Sequence, residues 1–392
     1  MHLIALEQEP TSLRGGQELN LLEICRGLSK RGHTISLLYE REGNLLDQYR
    51  EFCQNVIEVD AYGFDRRKPK MILQFLRNVA GIGKIPAYED SIVFSNVCHT
   101  VPFGYALSFL KGLPFVCYLQ IPPCELNLQN RLALKGVDHF IAVSYQTKLG
   151  WVNYGIVDRK IEVIQNGTAP DKFKPAEDFA ALRKEWGISE DARVVSYVGR
   201  IDHDKGIESL IKAFALLNKT QQNTQLLIAG KPVLHYDPVK GRECPEAGER
   251  YRQSLEQLAI NLGVGDQVRF LGHTNPVPLY QISDVNVMCS IWAEPFARVI
   301  LESMSCGTPL VGSRTGGTIE ALTGEFERRL FTPGDEQDLA RRLSETIDWR
   351  QNDPKLGTRY REHILKNFSL EKLVDNFEVV LVKIAKKSPV AA

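Results

Sequence analysis

The sequence predicts two α/β domains, each built on a doubly wound parallel sheet. Three observations predict this class. The chain has 392 residues, too many for one hydrophobic core. Short apolar runs of strand type alternate with helical patterns, the arrangement that buries parallel strands between helices. The alternation also occurs in two series, with a polar, charged stretch, "KPAEDFAALRKEW", read as the linker between them.

The first series opens with "HLIAL", an apolar run that reads as a buried strand. Leu19, Leu22, Cys25 and Leu28 then repeat at helical spacing, and Gly32 supplies the stop. "HTISLLY", "SIVFSN", "PFVCYLQ" and "HFIAVS" read as further strands, and "KIEVIQNG" closes the series. Residues 1–170 are therefore expected to form the first domain. The second series runs through "RVVSYVGR", "TQLLIAG", "QVRFLG", "VNVMCS", "TPLVGS" and "ERRLFTP", which places a second domain at residues 171–368. Leu370, Val374, Phe377, Leu381 and Ile384 mark the apolar face of a last helix within residues 369–392. In open parallel sheets ligands bind beyond the carboxyl ends of the strands. Functional residues are therefore expected in the loops that follow strands.

Composition narrows the function classes. Lys+Arg and Asp+Glu both number 48, so the net charge is zero, without the basic excess of a nucleic-acid binder. The eight cysteines form no C-x-x-C pair, which suits reduced, mostly buried thiols in a cytosolic protein. "MHLIALEQEP" lacks the basic start and the long apolar run of a signal peptide. No apolar run reaches the ~18 residues of a membrane span. The expected location is cytoplasmic.

Three motifs carry chemistry. Gly15 and Gly16 separate the first strand from the first helix, where small residues let backbone N–H groups approach an anion. Arg200 follows the strand "VVSYV" and Lys205 precedes the next helix, with Gly199 and Gly206 beside them. Two cations at a strand end suit a diphosphate. They also make a divalent metal at Asp202 and Asp204 unnecessary, so none is expected. Finally, "EPFARVILESMSCGTPLVGS" carries Glu294 and Glu302 eight residues apart. Pro295 is expected in the first helical turn, and a helix from there would separate the carboxylates by about 12 Å on nearly one face. That span matches the distance from a sugar to a ribose across a diphosphate. Glu302 sits among apolar positions and needs a partner.

"GRIDHDKG" followed by "EPFARVILESMSCGTPLVGSRTGG" resembles glycosyltransferase family 4, retaining transferases of the GT-B fold. "RGGQELNLLEICRGLSKRGH" and "VIQNGTAPDKF" extend the likeness over nearly the whole chain. The resemblance implies two Rossmann-like domains facing a cleft, with the last helix crossing back to the first. It implies that Arg200 and Lys205 bind the donor diphosphate, that Glu294 contacts the donor sugar, and that Glu302 holds the ribose. It further implies that Gly15 and Gly16 approach the phosphates, and that Phe296, Ala297, Arg298 and Val299 present backbone N–H groups. Three positions depart from the family pattern. Ala297 stands where glycine is usual, "ALTGEFERRLFTPGD" lacks the common "GxxGxL", and Gln120 replaces a histidine near the reacting carbon. Gln120 can still contact a sugar hydroxyl, and His99 is the nearest alternative.

The expected function is retaining transfer of a hexose-type sugar from a nucleoside diphosphate to a hydroxyl of a glycan, glycolipid or small molecule. No cofactor is expected beyond the co-substrate. Two rivals stand beside it: a nucleotide-sugar epimerase of the same fold, and a sugar-binding protein without catalysis. One further stretch, "DRRKPKMILQFLRNV", sets Arg66, Arg67, Lys68 and Lys70 beside Met71, Ile72, Leu73, Phe75 and Leu76. Bases followed by large apolar groups suit a peripheral contact with an anionic membrane.

Overall fold

A computed structural model describes residues 1–13, 15–65, 67–233, 235–237 and 242–386. The chain divides into two compact units: Met1–Asn166 with the C-terminal segment from Leu370, and Gly167–Ser369.

The first unit is built on a seven-stranded parallel sheet. Its strands are β1 (His2–Glu7), β2 (Thr34–Tyr39), β3 (Asn55–Glu58), β4 (Ser91–Ser95), β5 (Phe115–Leu119), β6 (His139–Ala142) and β7 (Ile161–Val163). Their order is β3-β2-β1-β4-β5-β6-β7. The central strands read as continuous apolar runs because helices cover both faces of a parallel sheet; Leu3, Ile4, Ala5 and Leu6 are fully buried. β3 escapes the sequence pattern because it is a short edge strand, only half-buried.

Helices Gln17–Lys30 and Leu370–Ala385 lie against one another in this unit. Gly27 makes that approach possible: a Cβ there would stand 2.4 Å from Val374 Cγ2. Phe377 packs edge-on to Tyr118 at a centroid distance of 5.2 Å. Arg31 and His33 both bond Glu378, at 2.6 and 2.7 Å. The last helix buries Leu373, Val374, Phe377, Val380 and Leu381, with Leu370 and Ile384 half-buried beside that face.

The second unit has a six-stranded parallel sheet in the order β12-β9-β8-β13-β14-β15 and a separate hairpin, β10-β11. Its strands are β8 (Arg193–Val198), β9 (Thr224–Ala229), β10 (His235–Asp237), β11 (Arg242–Cys244), β12 (Val268–Gly272), β13 (Val285–Met288), β14 (Leu310–Ser313) and β15 (Leu330–Phe331). The unit begins at Gly167, slightly before the expected boundary near residue 170. Thr168 already bridges Ser369 in parallel, and its N–H bonds the Phe368 carbonyl at 2.9 Å.

The charged stretch 174–186 is not a linker. Phe179–Glu185 is a helix of the second unit, capped by Asp178, which accepts from the Ala181 N–H at 2.9 Å. Leu182 and Trp186 pack on the cluster around Ile188 and Leu279. The Asp178 cap is a signal the sequence already carries. The helix brings in Arg183, which is buried and bonds Asp284 at 2.8 Å. Asp284, itself buried, also accepts from the Val194 N–H at 2.8 Å and from Arg350 Nε at 3.0 Å.

Asp284 therefore neutralises a buried guanidinium and satisfies a strand N–H at once. Asp284→Ala is expected to lower the free energy of unfolding by ~3–5 kcal/mol, because it leaves Arg183 charged and buried without its counter-ion. Denaturant unfolding of the two chains measures it.

Candidate functional site

In the second sheet β8 and β13 are neighbours although β9, β12 and several helices separate them in sequence. The strand order reverses there, which opens a crevice at the carboxyl ends. The loop after β8 carries Arg200 and Lys205. The loop after β13 carries Glu294. Lys205 Nζ bonds Glu294 Oε1, with both side chains largely buried. Ser290 Oγ and Trp292 Nε1 donate to the same oxygen at 2.7 and 3.2 Å. The Lys205 ammonium also lies 5.5 Å from the Trp292 ring centroid. Ser290 and Trp292 escaped the sequence reading. The segment bends at Ile291 and Trp292, so it carries no strand period that would have singled them out.

Two glycines fix the backbone around this pair. Gly206 has φ +68°, and a Cβ there would stand 2.1 Å from the Cys289 carbonyl. Gly316 has φ +58°, and its Cβ would stand 1.9 Å from the Glu294 carbonyl. That same carbonyl accepts from the Gly317 N–H at 2.7 Å. The "TGG" turn thus clamps the main chain of Glu294. Cys289 Sγ donates to the Lys205 carbonyl at 3.1 Å, and burial pushes its thiol up to about 12.

The helix after this loop spans Arg298–Ser305, with Ala297 as its N-cap. Pro295 therefore precedes the helix instead of entering its first turn, and the ~12 Å helical separation of the two carboxylates does not apply. Ala297 has φ −71° and ψ 125°, a region open to any residue. Alanine therefore stands without strain where the family usually has glycine. Phe296 is buried and packs against Phe368, with centroids 5.6 Å apart. Val299 is half-buried in the first turn.

Glu302 has the partners that its position demands. Arg298 Nε donates to Oε1 at 3.2 Å, one helical turn back, and the Tyr280 hydroxyl donates to Oε2 at 3.1 Å. Burial and the Glu302 charge push the Tyr280 phenol well above its usual range. Arg298 was visible at i, i+4; Tyr280, on helix Pro276–Ile282, was not.

Arg200 is exposed, and its carbonyl is pinned by the buried Tyr197 hydroxyl at 2.8 Å. His203 stacks on Tyr251 at a centroid distance of 3.7 Å, between a half-buried Asp202 and an exposed Asp204.

The remaining expected residues belong to the first unit. Gly15 and Gly16 directly precede helix Gln17–Lys30, and a Cβ on Gly15 would meet nothing within 4 Å. Gln120 is buried, and both ends of its amide are engaged. Its Nε2 donates to Asn96 Oδ1 at 2.6 Å, and its Oε1 accepts from Asn20 at 2.9 Å. It is part of a buried network. Asn96 Nδ2 continues the network to Glu7 Oε2 at 2.6 Å. Asn20 and Tyr118 both donate to Asn166 Oδ1, at 3.1 and 3.0 Å. Every member follows a strand or opens the first helix, except Glu7 and Tyr118, which lie inside β1 and β5. Burial, with nearby Glu18 adding, pushes the Glu7 carboxyl up to about 8. His99 is exposed in the loop after β4.

Residues 178–363 match the family model of the glycosyl transferases group 1, and residues 14–172 that of Glycosyltransferase Family 4. An uncharacterised glycosyltransferase of Methanocaldococcus jannaschii is 32% identical over 388 residues, covering 91% of this chain and 90% of that protein. The chain belongs to glycosyltransferase family 4. A D-inositol 3-phosphate glycosyltransferase of Mycolicibacterium vanbaalenii is 30% identical, over 96% of this transferase and 86% of that one. Among solved structures, Anabaena HepE in complex with UDP matches with a TM-score of 0.80 at 22% identity, over 98% of this chain and 100% of that one. Sucrose-phosphate synthase from Thermosynechococcus elongatus matches with a TM-score of 0.75 at 21% identity, over 99% and 100% of the two chains. The fold is GT-B.

The Glu7 carboxyl gives the transferase a pH signature. Its folded value near 8 lies above the ordinary 4.5, so between these values the fold holds a proton that the unfolded chain has released. This contribution to stability falls as pH rises through that window, by up to ~1.4 kcal/mol per pH unit, and levels off above it. Glu7→Gln cannot titrate. Its unfolding free energy, set against the native chain's from pH 5 to 9, is expected to gain steadily up to about pH 8.

Proposed function

We propose that this transferase moves a hexose-type sugar from a nucleoside diphosphate to an acceptor hydroxyl, with retention and without a metal at the diphosphate. The carrying observation is the Glu294 carboxylate. Lys205, Ser290 and Trp292 hold its Oε1, and among the described residues no hydrogen bond reaches Oε2. That oxygen can accept a hydrogen bond from a hydroxyl of the transferred sugar. Glu302 can accept from ribose hydroxyls while keeping Arg298 and Tyr280, since a carboxylate offers about four acceptor sites. Lys205, Arg200 and the first turn of helix Arg298–Ser305 supply fixed positive potential for the diphosphate.

In the front-face reaction the sugar–diphosphate bond breaks as the acceptor oxygen bonds the same face of the sugar. The leaving phosphate oxygen takes the acceptor proton, so no protein nucleophile is used. The residues named above stabilise the charge that grows on the leaving group. HepE was solved with UDP and with UDP-glucose, which supports a nucleotide-sugar donor. Exposed apolar groups of this chain support a second element of the reading, reversible contact of a cytoplasmic enzyme with anionic membrane. In helix Pro69–Gly81, Phe75 and Val79 pack on the core while Leu73 and Leu76 are 60% and 56% exposed. Arg67, Lys68 and Lys70 are exposed at its start; Arg66 lies outside the described residues.

A thermal-shift screen of nucleotide sugars identifies the donor, since a ligand at 100 times its Kd adds ~2.7 kcal/mol. With that donor, Glu294→Gln is expected to lower turnover by ~10²–10³ while calorimetry shows nucleoside diphosphate binding nearly intact. Glu302→Gln is expected to weaken that binding instead. Equal losses would overturn the two roles. Rates with and without added magnesium are expected to agree, and product formation should require an acceptor, which an epimerase would not.

Flotation with anionic vesicles at low salt tests the membrane contact. The native chain is expected to float, and a variant with Glu at 66, 67, 68 and 70 to remain below.

A further inference from the structure

We propose that Cys98, His99 and Cys124 bind one zinc ion in the first unit. Cys98 and His99 lie between β4 and helix Val101–Lys111, and Cys124 lies between β5 and helix Leu128–Leu134. β4 and β5 are adjacent in the sheet, so the loops leaving their carboxyl ends run side by side. Both sulfurs and an imidazole nitrogen lie within 4.8 Å of one another. Zinc bonds of ~2.3 Å to sulfur and ~2.0 Å to nitrogen put tetrahedral ligand atoms roughly 3.5–3.8 Å apart. Side-chain rotations that move these atoms by about 1 Å therefore close the site around an ion.

The main chain that carries these ligands is already held. The Val97 carbonyl accepts from Ser95 Oγ at 2.8 Å and from Thr100 Oγ1 at 3.1 Å. Trp151 Nε1 donates to the Ile121 carbonyl at 2.8 Å, three residues before Cys124. Cys98 is buried, Cys124 half-buried and His99 exposed, which leaves an entry path on the histidine side.

The donor set chooses the ion. Two thiolates and an imidazole suit zinc and reject magnesium and calcium. As a bare thiol Cys98 stays protonated: burial, with Cys124 beside it, pushes it up to about 12. Zinc displaces a proton from each sulfur, and the two thiolates neutralise its charge, which suits a half-buried site. Three protein ligands leave a fourth position for water. The ion would tie together two loops at the carboxyl edge of the first sheet. This is independent of the donor reading, because Arg200, Lys205, Glu294 and Glu302 belong to the other unit.

The test uses the full chain, purified under reducing conditions and dialysed against zinc. Metal analysis is expected to give one zinc per chain, with two protons released on binding. Cobalt in its place is expected to show thiolate-to-metal charge-transfer absorption and tetrahedral ligand-field bands. The double variant Cys98→Ser/Cys124→Ser is expected to lose the ion. His99→Ala, at an exposed position that does not disturb packing, should weaken zinc affinity beyond the ~10-fold that loss of an outer-shell partner already costs. Sub-stoichiometric zinc, a cobalt spectrum without the thiolate band, or unchanged affinity in His99→Ala would overturn the site. So would a Cys98–Cys124 disulfide forming in air on a chain that takes up no zinc.

Discussion

Val195 and Ser196 of β8 lie in register with Val285 and Asn286 of β13, and Asn286 Nδ2 donates to Ser196 Oγ at 2.9 Å across the pair. The second unit's chemistry depends on this pairing. Parallel strands must be joined by long crossovers, so two strands far apart in sequence can end side by side. Lys205 and Glu294 meet because each leaves the carboxyl end of one of these strands. Neither loop could hold the other's side chain by itself. The backbone contacts of Gly206 with Cys289, and of Gly316 with Glu294, fix the height at which the two loops cross.

Buried charge is managed differently at the two carboxylates. Glu294 gathers a cation, a hydroxyl and an indole on one oxygen, which orients the carboxylate and leaves the other oxygen available. Glu302 divides its partners, Arg298 on one oxygen and Tyr280 on the other, so its geometry is fixed from both sides. The first group has its three donors on Oε1. The second is held in place whether or not a ligand adds to it. Both arrangements follow from the cost of leaving a carboxylate buried without donors.

The first unit shows the same rule without formal charge pairing. Gln120, Asn96, Asn20 and Asn166 satisfy one another beneath the glycine loop, and Glu7 joins them as a buried acid. Gln120 Nε2 also reaches the Gln17 carbonyl at 3.3 Å, which ties the network to the first turn after Gly15 and Gly16. The Gln120 amide donates through Nε2 and accepts through Oε1 at once, which is what a closed network requires.

The sequence by itself determined the two sheets, because strands buried on both faces must be apolar throughout and that signal is local. It also determined the identities of Lys205, Glu294 and Glu302, whose spacing and neighbours are motif properties. It carried an unread signal for the Phe179–Glu185 helix in its Asp178 cap. Only the tertiary structure decided that the helix begins at Arg298, that Tyr280 completes Glu302, that Gln120 turns inward, and that Cys98 and His99 converge on Cys124. Each of these depends on which loops the sheet order sets side by side, and on which buried polar groups must then find partners. Periodicity records neither, because it reports the face a residue occupies and not the segment that faces it.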